Sequence, residues 1–355
     1  MSALDPIDES ETAALLKVAE RFAVAVTPAM RALIDPTDPN DPIARQFAPD
    51  AAELIEDAEE LSDPIGDASH SPLPGIVHRY PDRVLLKPIK ACPVYCRFCF
   101  RRETVGPGNK GLSPQQLDAA IAYIAERPEI FEVILTGGDP LALSVRRLGD
   151  ILARLFAIPH LGIIRIHTRV PVVQPERITA ALARALRGAK PVYVVLHANH
   201  AREFTPEARA ALGRLADAGL PLLGQSVLLR GVNDSEAALA DLFRAMLTAR
   251  VKPYHLNHLD KARGTGHFRV PLREGQALVA KLRGRVSGLA QPTYILDIPG
   301  GHGKVPVGPA YIEMAENGAW RVSDPWGCVH EYRETASQSG AEGVKAPPKT
   351  RSDEI

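Results

Sequence analysis

From Arg83 onward the chain repeats one rhythm. A short apolar or β-branched run gives way to a polar break, then to a stretch whose apolar residues recur three and four apart. The runs are RVLLKPI, FEVILT, GIIRIHT, VYVVLH, PLLGQSV, VKPYHLN and TYILDI. Between them lie SPQQLDAAIAYIAER, ERITAALARALRG, TPEARAALGRLADAG and SEAALADLFRAML, each spaced as an amphipathic helix. Ser113 and Pro114 open the first of these as an N-cap and first-turn pair. Strands alternating with helices predict parallel pairing through helical crossovers, in an α/β barrel or a doubly wound sheet.

The first 75 residues read differently. SETAALLKVAERFAVAV and APDAAELIEDAEEL have helical spacing, while IDPTDPNDPIARQF between them is broken by proline. The pattern predicts a helical, partly irregular extension over 1–75, an α/β core over 76–315 and a C-terminal segment over 316–355. The final ASQSGAEGVKAPPKTRSDEI is polar and contains Gly and Pro, and is expected to be disordered.

Composition adds exclusions. At 355 residues, 45% hydrophobic and 24% charged, the chain has the make-up of a globular protein with a substantial core. Lys+Arg and Asp+Glu each number 42, so the charge balance argues for neither a nucleic-acid partner nor another polyanion. No run approaches the ~18 apolar residues of a membrane span, and the first residues lack the pattern of a signal peptide. The cytoplasm is the expected location. Its reducing conditions suit four cysteines that are too few and too clustered for a disulfide framework.

Three of those cysteines, Cys92, Cys96 and Cys99, crowd into CPVYCRFCFRR. Thiolates are soft ligands for iron–sulfur clusters, copper(I) or zinc. Structural zinc wants four closed ligands, so it would need His78 or His197 to complete the triplet. A four-iron cluster on three thiolates instead leaves one iron open to a small molecule with amino and carboxylate groups. Three incidental cysteines are the remaining alternative. Downstream, LTGGDPL sets Gly137, Gly138 and Asp139 at the end of a predicted strand, and DIPGGHGKVPV sets Lys304 in a glycine loop. A Walker A loop would have Gly at 298 and Ser or Thr at 305, where this chain has Ile298 and Val305. A lysine held there is able to form a Schiff base with pyridoxal phosphate, the glycines cradling the phosphate. Taken alone, the loop is equally a plain turn with a solvated lysine.

Together these motifs resemble the radical S-adenosylmethionine superfamily and, over roughly Pro74 to Tyr311, its lysine 2,3-aminomutase family. The resemblance implies a fold, an α/β partial (β/α) TIM-type barrel with a helical N-terminal extension. It implies a [4Fe-4S] cluster on Cys92, Cys96 and Cys99, whose open iron chelates S-adenosylmethionine. Gly137, Gly138, Asp139, His197 in LHANH and Gln225 in GQSVLLRGVND are the implied contacts to that cosubstrate. Pyridoxal 5'-phosphate is implied on Lys304, with Arg79, Tyr80 and Arg83 of HRYPDRVL beside it. Arg101 is the implied grip on the substrate carboxylate, which its planar fork suits. Asp260 in NHLDKARGTGHF and Asp297 in YILDIPGG are the implied holders of the distal ammonium of lysine, and two such carboxylates would repel a glutamate side chain.

The implied activity moves the α-amino group of L-lysine to the β-carbon. It is expected in a homo-oligomer served by an electron donor such as flavodoxin or ferredoxin, with no nucleic acid and no membrane. Alternatives are the β-lysine-forming enzyme of elongation factor P modification, an aminomutase for another basic amino acid, and a radical enzyme without pyridoxal phosphate acting on RNA or protein. Two departures stand out. His302 replaces a family glycine, and Cys328 alone cannot make the C-terminal zinc site of longer members, so no zinc is expected.

Overall fold

All seven apolar runs form strands in a computed structural model of the chain, which describes residues 9–334 except 107, 109, 110 and 317. They are β2 (Arg83–Ile89), β3 (Glu132–Gly137), β4 (Ile163–Thr168), β5 (Val192–His197), β6 (Leu222–Val227), β7 (Lys252–Asn257) and β8 (Thr293–Ile298). Each pairs in parallel with the next. Two strands outside the apolar pattern flank them antiparallel, β1 (Ile76–Tyr80) on β2 and β9 (Gly303–Pro306) on β8. The sheet order follows the chain from β1 to β9, and its two ends are not paired to each other, so the architecture is a partial barrel.

The longer crossovers are α4 (Pro114–Ala125), α5 (Val145–Phe156), α8 (Pro206–Asp217), α9 (Glu236–Thr248) and α10 (Leu272–Leu282). Shorter helices are α2 (Pro28–Arg31), α3 (Ala44–Phe47), α6 (Val170–Val173) and α7 (Ala180–Ala185). Ser113 caps α4 as expected, its Oγ accepting from the Gln116 N–H while the Gln116 side chain accepts from the Ser113 N–H. In α5, Leu148, Ile151, Leu152 and Leu155 bury one face against the sheet core. Strand faces alternate accordingly. Ile164 and Ile166 of β4 pack outward into that core, while Arg165 and His167 take the inward face.

The N-terminal extension is less helical than its spacing predicts. Helix α1 (Glu9–Arg21) forms, but the chain then extends so that the Ala25 carbonyl accepts from the Tyr95 N–H at 3.1 Å. APDAAELIEDAEEL makes one 3₁₀ turn, Ala51–Leu54, and not a helix. Its apolar residues find no common face, Ile55 being 73% exposed. Glu53 is drawn into the protein by two arginines, and Leu61 bridges to Ala262. Tertiary pairing has overridden propensity.

Contacts divide the chain into two compact units, Met1–Pro309 and Ala310–Ile355. The second carries a three-stranded antiparallel sheet of β10 (Ile312–Met314), β11 (Trp320–Ser323) and β12 (Val329–Tyr332). Cys328 is exposed in it. Among the described residues no helix is long and apolar enough to cross a membrane. The polar tail beyond 334 lies outside the described residues.

Candidate active site

The loop after β2 carries Cys92, Cys96 and Cys99, whose side chains line one cavity together with Phe22, Ala23, Val94 and Tyr95. Buried Glu53 reaches into this loop from the extension. Its carboxylate accepts from Arg97 Nε at 2.8 Å, from Arg97 Nη2 and from Arg102 Nη2. Gln46 adds its carbonyl to the Arg97 N–H at 2.9 Å. Thus the irregular extension serves as the clamp that shapes the cysteine loop.

Burial, the Asp139 carboxylate and the neighbouring thiols all push the Cys92 thiol far above its ordinary range. Burial and Cys96 push Cys99 up to about 11. Cys92 and Cys99 are thus held as thiols by their buried surroundings, and a cationic centre such as an iron–sulfur cluster would make them thiolates. Among the described residues the cavity lining offers three thiols and no His, Asp or Glu, a donor set that suits a cluster better than the four closed ligands of structural zinc.

Gly137 and Gly138 turn back against this loop. The Gly138 N–H donates to the Ile89 carbonyl at 2.8 Å and the Asp139 N–H to the Ala91 carbonyl at 3.0 Å. A Cβ on Gly138 would lie 2.3 Å from that Ala91 oxygen, so glycine alone permits the approach. Asp139 itself is buried and spends its carboxylate on the fold. It accepts from Thr168 Oγ1 at 2.7 Å and from the Arg169 and Val170 N–H groups at 2.7 and 3.2 Å. Its oxygens anchor the start of α6.

His197 and Gln225 stand side by side on β5 and β6, and Gln225 is in register with His255 on β7. Burial and Arg169 lower His197 to about 3, and burial with Lys304 lowers His255 to about 4, so both rings are neutral. Phe98 lies against His197 with ring centres 5.7 Å apart. With Leu229, Val232, Leu259 and Phe268 it forms an apolar cluster beside Cys96.

At the far edge of the barrel, Lys304 on β9 pairs through Nζ with Asp297 on β8. Arg79 on β1 grips the same carboxylate with two hydrogen bonds, at 3.0 and 3.1 Å. Tyr80 Oη accepts from the Lys304 N–H at 2.9 Å, and the Arg83 guanidinium lies 3.8 Å from the Tyr80 ring centre. Gly303 has φ +101, and a Cβ there would sit 3.3 Å from Tyr80 Oη. The Lys304 side chain remains 40% exposed, so its amine is reachable by a carbonyl ligand. Asp260 lies in electrostatic reach of Lys304, Asp297, Arg101 and Arg79. Burial pushes it up to about 6 against the pull of Lys304. An accessible lysine beside a glycine loop, flanked by Arg79, Tyr80 and Arg83, fits a phosphorylated aldehyde.

The structure adds residues that motif reading did not reach. Asp67 of the extension accepts from Arg101 Nε at 2.9 Å and from Lys87 Nζ at 3.2 Å, bridging two cations at the barrel mouth. Glu132 and Arg165 pair doubly, both at 2.8 Å, on the inward face. His167 sits in the same space with its Nε2 unpartnered, and burial with Arg165 keeps it neutral. Polar residues at alternate positions of otherwise apolar strands were the available signal for Lys87, Arg165 and His167. Asp67 lies in an irregular loop and had none.

Comparison with known proteins agrees with this layout. The Radical SAM superfamily model matches residues 86–243, and the model described as Lysine-2,3-aminomutase matches 279–340. The L-lysine 2,3-aminomutase of Clostridium subterminale is 43% identical over 307 residues, covering 86% of this chain and 74% of the relative. That of Methanococcus maripaludis is 40% identical, covering 94% and 77%. A glutamate 2,3-aminomutase of Clostridioides difficile is 38% identical, covering 88% and 74%. Among solved structures, a radical SAM methyltransferase from Sphaerobacter thermophilus aligns with a TM-score of 0.46 at 18% identity, over 62% of this chain and 68% of that one. That structural likeness is too partial to carry weight, and the fold rests on the sheet topology.

Proposed function

Because this chain belongs to the lysine 2,3-aminomutase family, we propose that it shifts the α-amino group of L-lysine to the β-carbon. The observation that carries the substrate choice is the pair of carboxylates Asp260 and Asp297 beside Lys304. Two acids there favour a side chain that ends in a cation and oppose the carboxylate of glutamate. Arginine and ornithine share that cation and are the nearest competitors.

The family's cofactors are a [4Fe-4S] cluster, S-adenosylmethionine and pyridoxal phosphate. When bound, the first two supply one-electron hydrogen-abstraction chemistry, and the third supplies a carbonyl and a conjugated ring for the migrating nitrogen. Cys92, Cys96 and Cys99 hold the cluster. His197, Gln225 and the Gly137–Asp139 turn border the cosubstrate. Lys304 carries the pyridoxal group, with Arg79, Tyr80 and Arg83 beside it. Arg101 takes the substrate carboxylate by its guanidinium, whose plane is fixed by Asp67 on Nε at 2.9 Å and by Thr136 Oγ1, 3.5 Å from Nη1. Asp260 and Asp297 orient the distal ammonium. The barrel wall and Phe98 exclude water from the reacting carbons. A low-potential electron donor is required, and a reducing cytoplasm suits the chemistry.

The test is anaerobic reconstitution with iron, sulfide, pyridoxal phosphate and S-adenosylmethionine, followed by mass spectrometry of lysine, ornithine, arginine and glutamate. β-Lysine is the expected product. Turnover of ornithine or arginine without lysine would overturn the substrate choice, and cosubstrate cleavage without any amino shift would overturn the activity.

A further inference from the structure

One thiol of the triplet, Cys96, takes a hydrogen bond from a charged side chain. Cys96 Sγ lies 2.8 Å from Nη1 of Arg169, a guanidinium only 6% exposed at the start of α6. Nη2 of the same guanidinium is held by Glu203 at 2.9 Å and by the Gln46 side chain, both fully buried. The Arg169 backbone N–H is fixed in turn by Asp139. Burying a guanidinium is expensive, and Glu203 with Gln46 offsets that cost while aiming the positive edge at one sulfur.

We infer that Arg169 raises the reduction potential of the cluster by a charge-assisted hydrogen bond to Cys96, with Glu203 as the opposing weight. The inference rests on the reading that the triplet holds a [4Fe-4S] cluster. Reduction adds one electron from an external low-potential donor, and the cluster passes from the 2+ to the 1+ state. No proton moves, because the guanidinium stays charged throughout. The added negative charge spreads onto the sulfurs, where a nearby cation stabilises it. Glu203 acts in the opposite direction but lies beyond the guanidinium from Cys96, so the nearer positive edge prevails.

The two residues therefore predict shifts of opposite sign. Arg169→Met lowers the midpoint potential, and Glu203→Gln raises it. Arg169→Lys, which keeps the charge without the fork, falls between wild type and Arg169→Met. The expected size for Arg169→Met is about a tenfold fall in the reduced-to-oxidised ratio at a fixed potential, ~59 mV for a one-electron couple. The experiment is an anaerobic redox titration of the reconstituted proteins read by electron paramagnetic resonance, with iron and sulfide counted for each. A merely structural role for Arg169 would change iron content or folding and leave the potential of loaded molecules where it was. Potentials that do not move, or that move together in one direction, overturn the inference. Should Arg169→Met fail to hold iron, Glu203→Gln decides: a rise supports the inference and no rise overturns it. A wild-type protein that binds no cluster overturns both this inference and the functional reading beneath it.

Discussion

Glu53→Ala tests whether the extension clamps the cysteine loop. Glu53 is fully buried, and its carboxylate neutralises Arg97 and Arg102, whose side chains are 2% and 4% exposed. Truncation leaves Arg97 with the Ala23 carbonyl at 2.9 Å. Arg102 keeps the Gly264 carbonyl at 2.9 Å and the Phe22 ring, 3.5 Å from its guanidinium carbon. Removing one partner of a buried ion pair costs roughly 3–5 kcal/mol, and the contacts Arg102 retains favour the lower end. With a urea slope near 3 kcal/mol/M for a chain of this size, the midpoint should fall by about 1 M. The added variant Arg97→Met removes the worst stranded charge and should recover at least ~1 kcal/mol. Urea unfolding followed by circular dichroism measures both, and iron per chain after reconstitution should fall with Glu53→Ala and partly return in the double variant. A midpoint shift below about 0.3 M, or a double variant no better than the single, would refute the clamp.

Three further outcomes follow from the site. Asp260, pushed up to about 6 from 3.8, should make the KM for lysine fall as pH rises through 6, and Asp260→Asn should flatten that dependence in initial-rate assays. Because the folded protein favours its protonated form, the stability contributed by Asp260 is full below 3.8 and lost as pH rises through about 6, which pH-dependent unfolding of the same pair of proteins will read. Gly138→Ala would drive its Cβ into the Ala91 carbonyl and should cut iron per chain severalfold. Gly149→Ala in α5 meets nothing within 4 Å and should keep full iron while gaining about 0.5–1 kcal/mol, a contrast read by iron assay and urea unfolding. Lys304→Ala should abolish the pyridoxal mass fixed by borohydride on the 304-containing peptide; a full-strength adduct in that variant would place the covalent anchor elsewhere.

The barrel was legible because its seven parallel strands are apolar runs bounded by turns and separated by amphipathic helices, so period and composition agree at each one. Strands β1 and β9 escaped because IVHRY and GKVP have no apolar alternation; they are stabilised by pairing at the sheet's edges. The APDAAELIEDAEEL helix failed because Glu53 is committed to arginines more than forty residues away, a demand that local spacing does not express. In the site, clustered motifs revealed the cysteines and the glycine loop. The charged pairs around them, Asp67 on Arg101, Glu53 on Arg97 and Arg102, and Glu203 on Arg169, are ordinary residues whose meaning arises once the chain folds. Asp139 shows the same limit, since its carboxylate turns out to bind α6 and its own turn.

The outermost strands β1 and β9 share no ladder. A phenol–amide contact between Tyr80 and Lys304, and a guanidinium on Asp297, link the two edges. Peptide ladders unzip cooperatively, whereas links of this sort part through rotamer changes within side chains. The seam beside Lys304 is therefore held by side chains, with one main-chain bond from the Gly300 N–H to the Pro64 carbonyl bracing it from the extension.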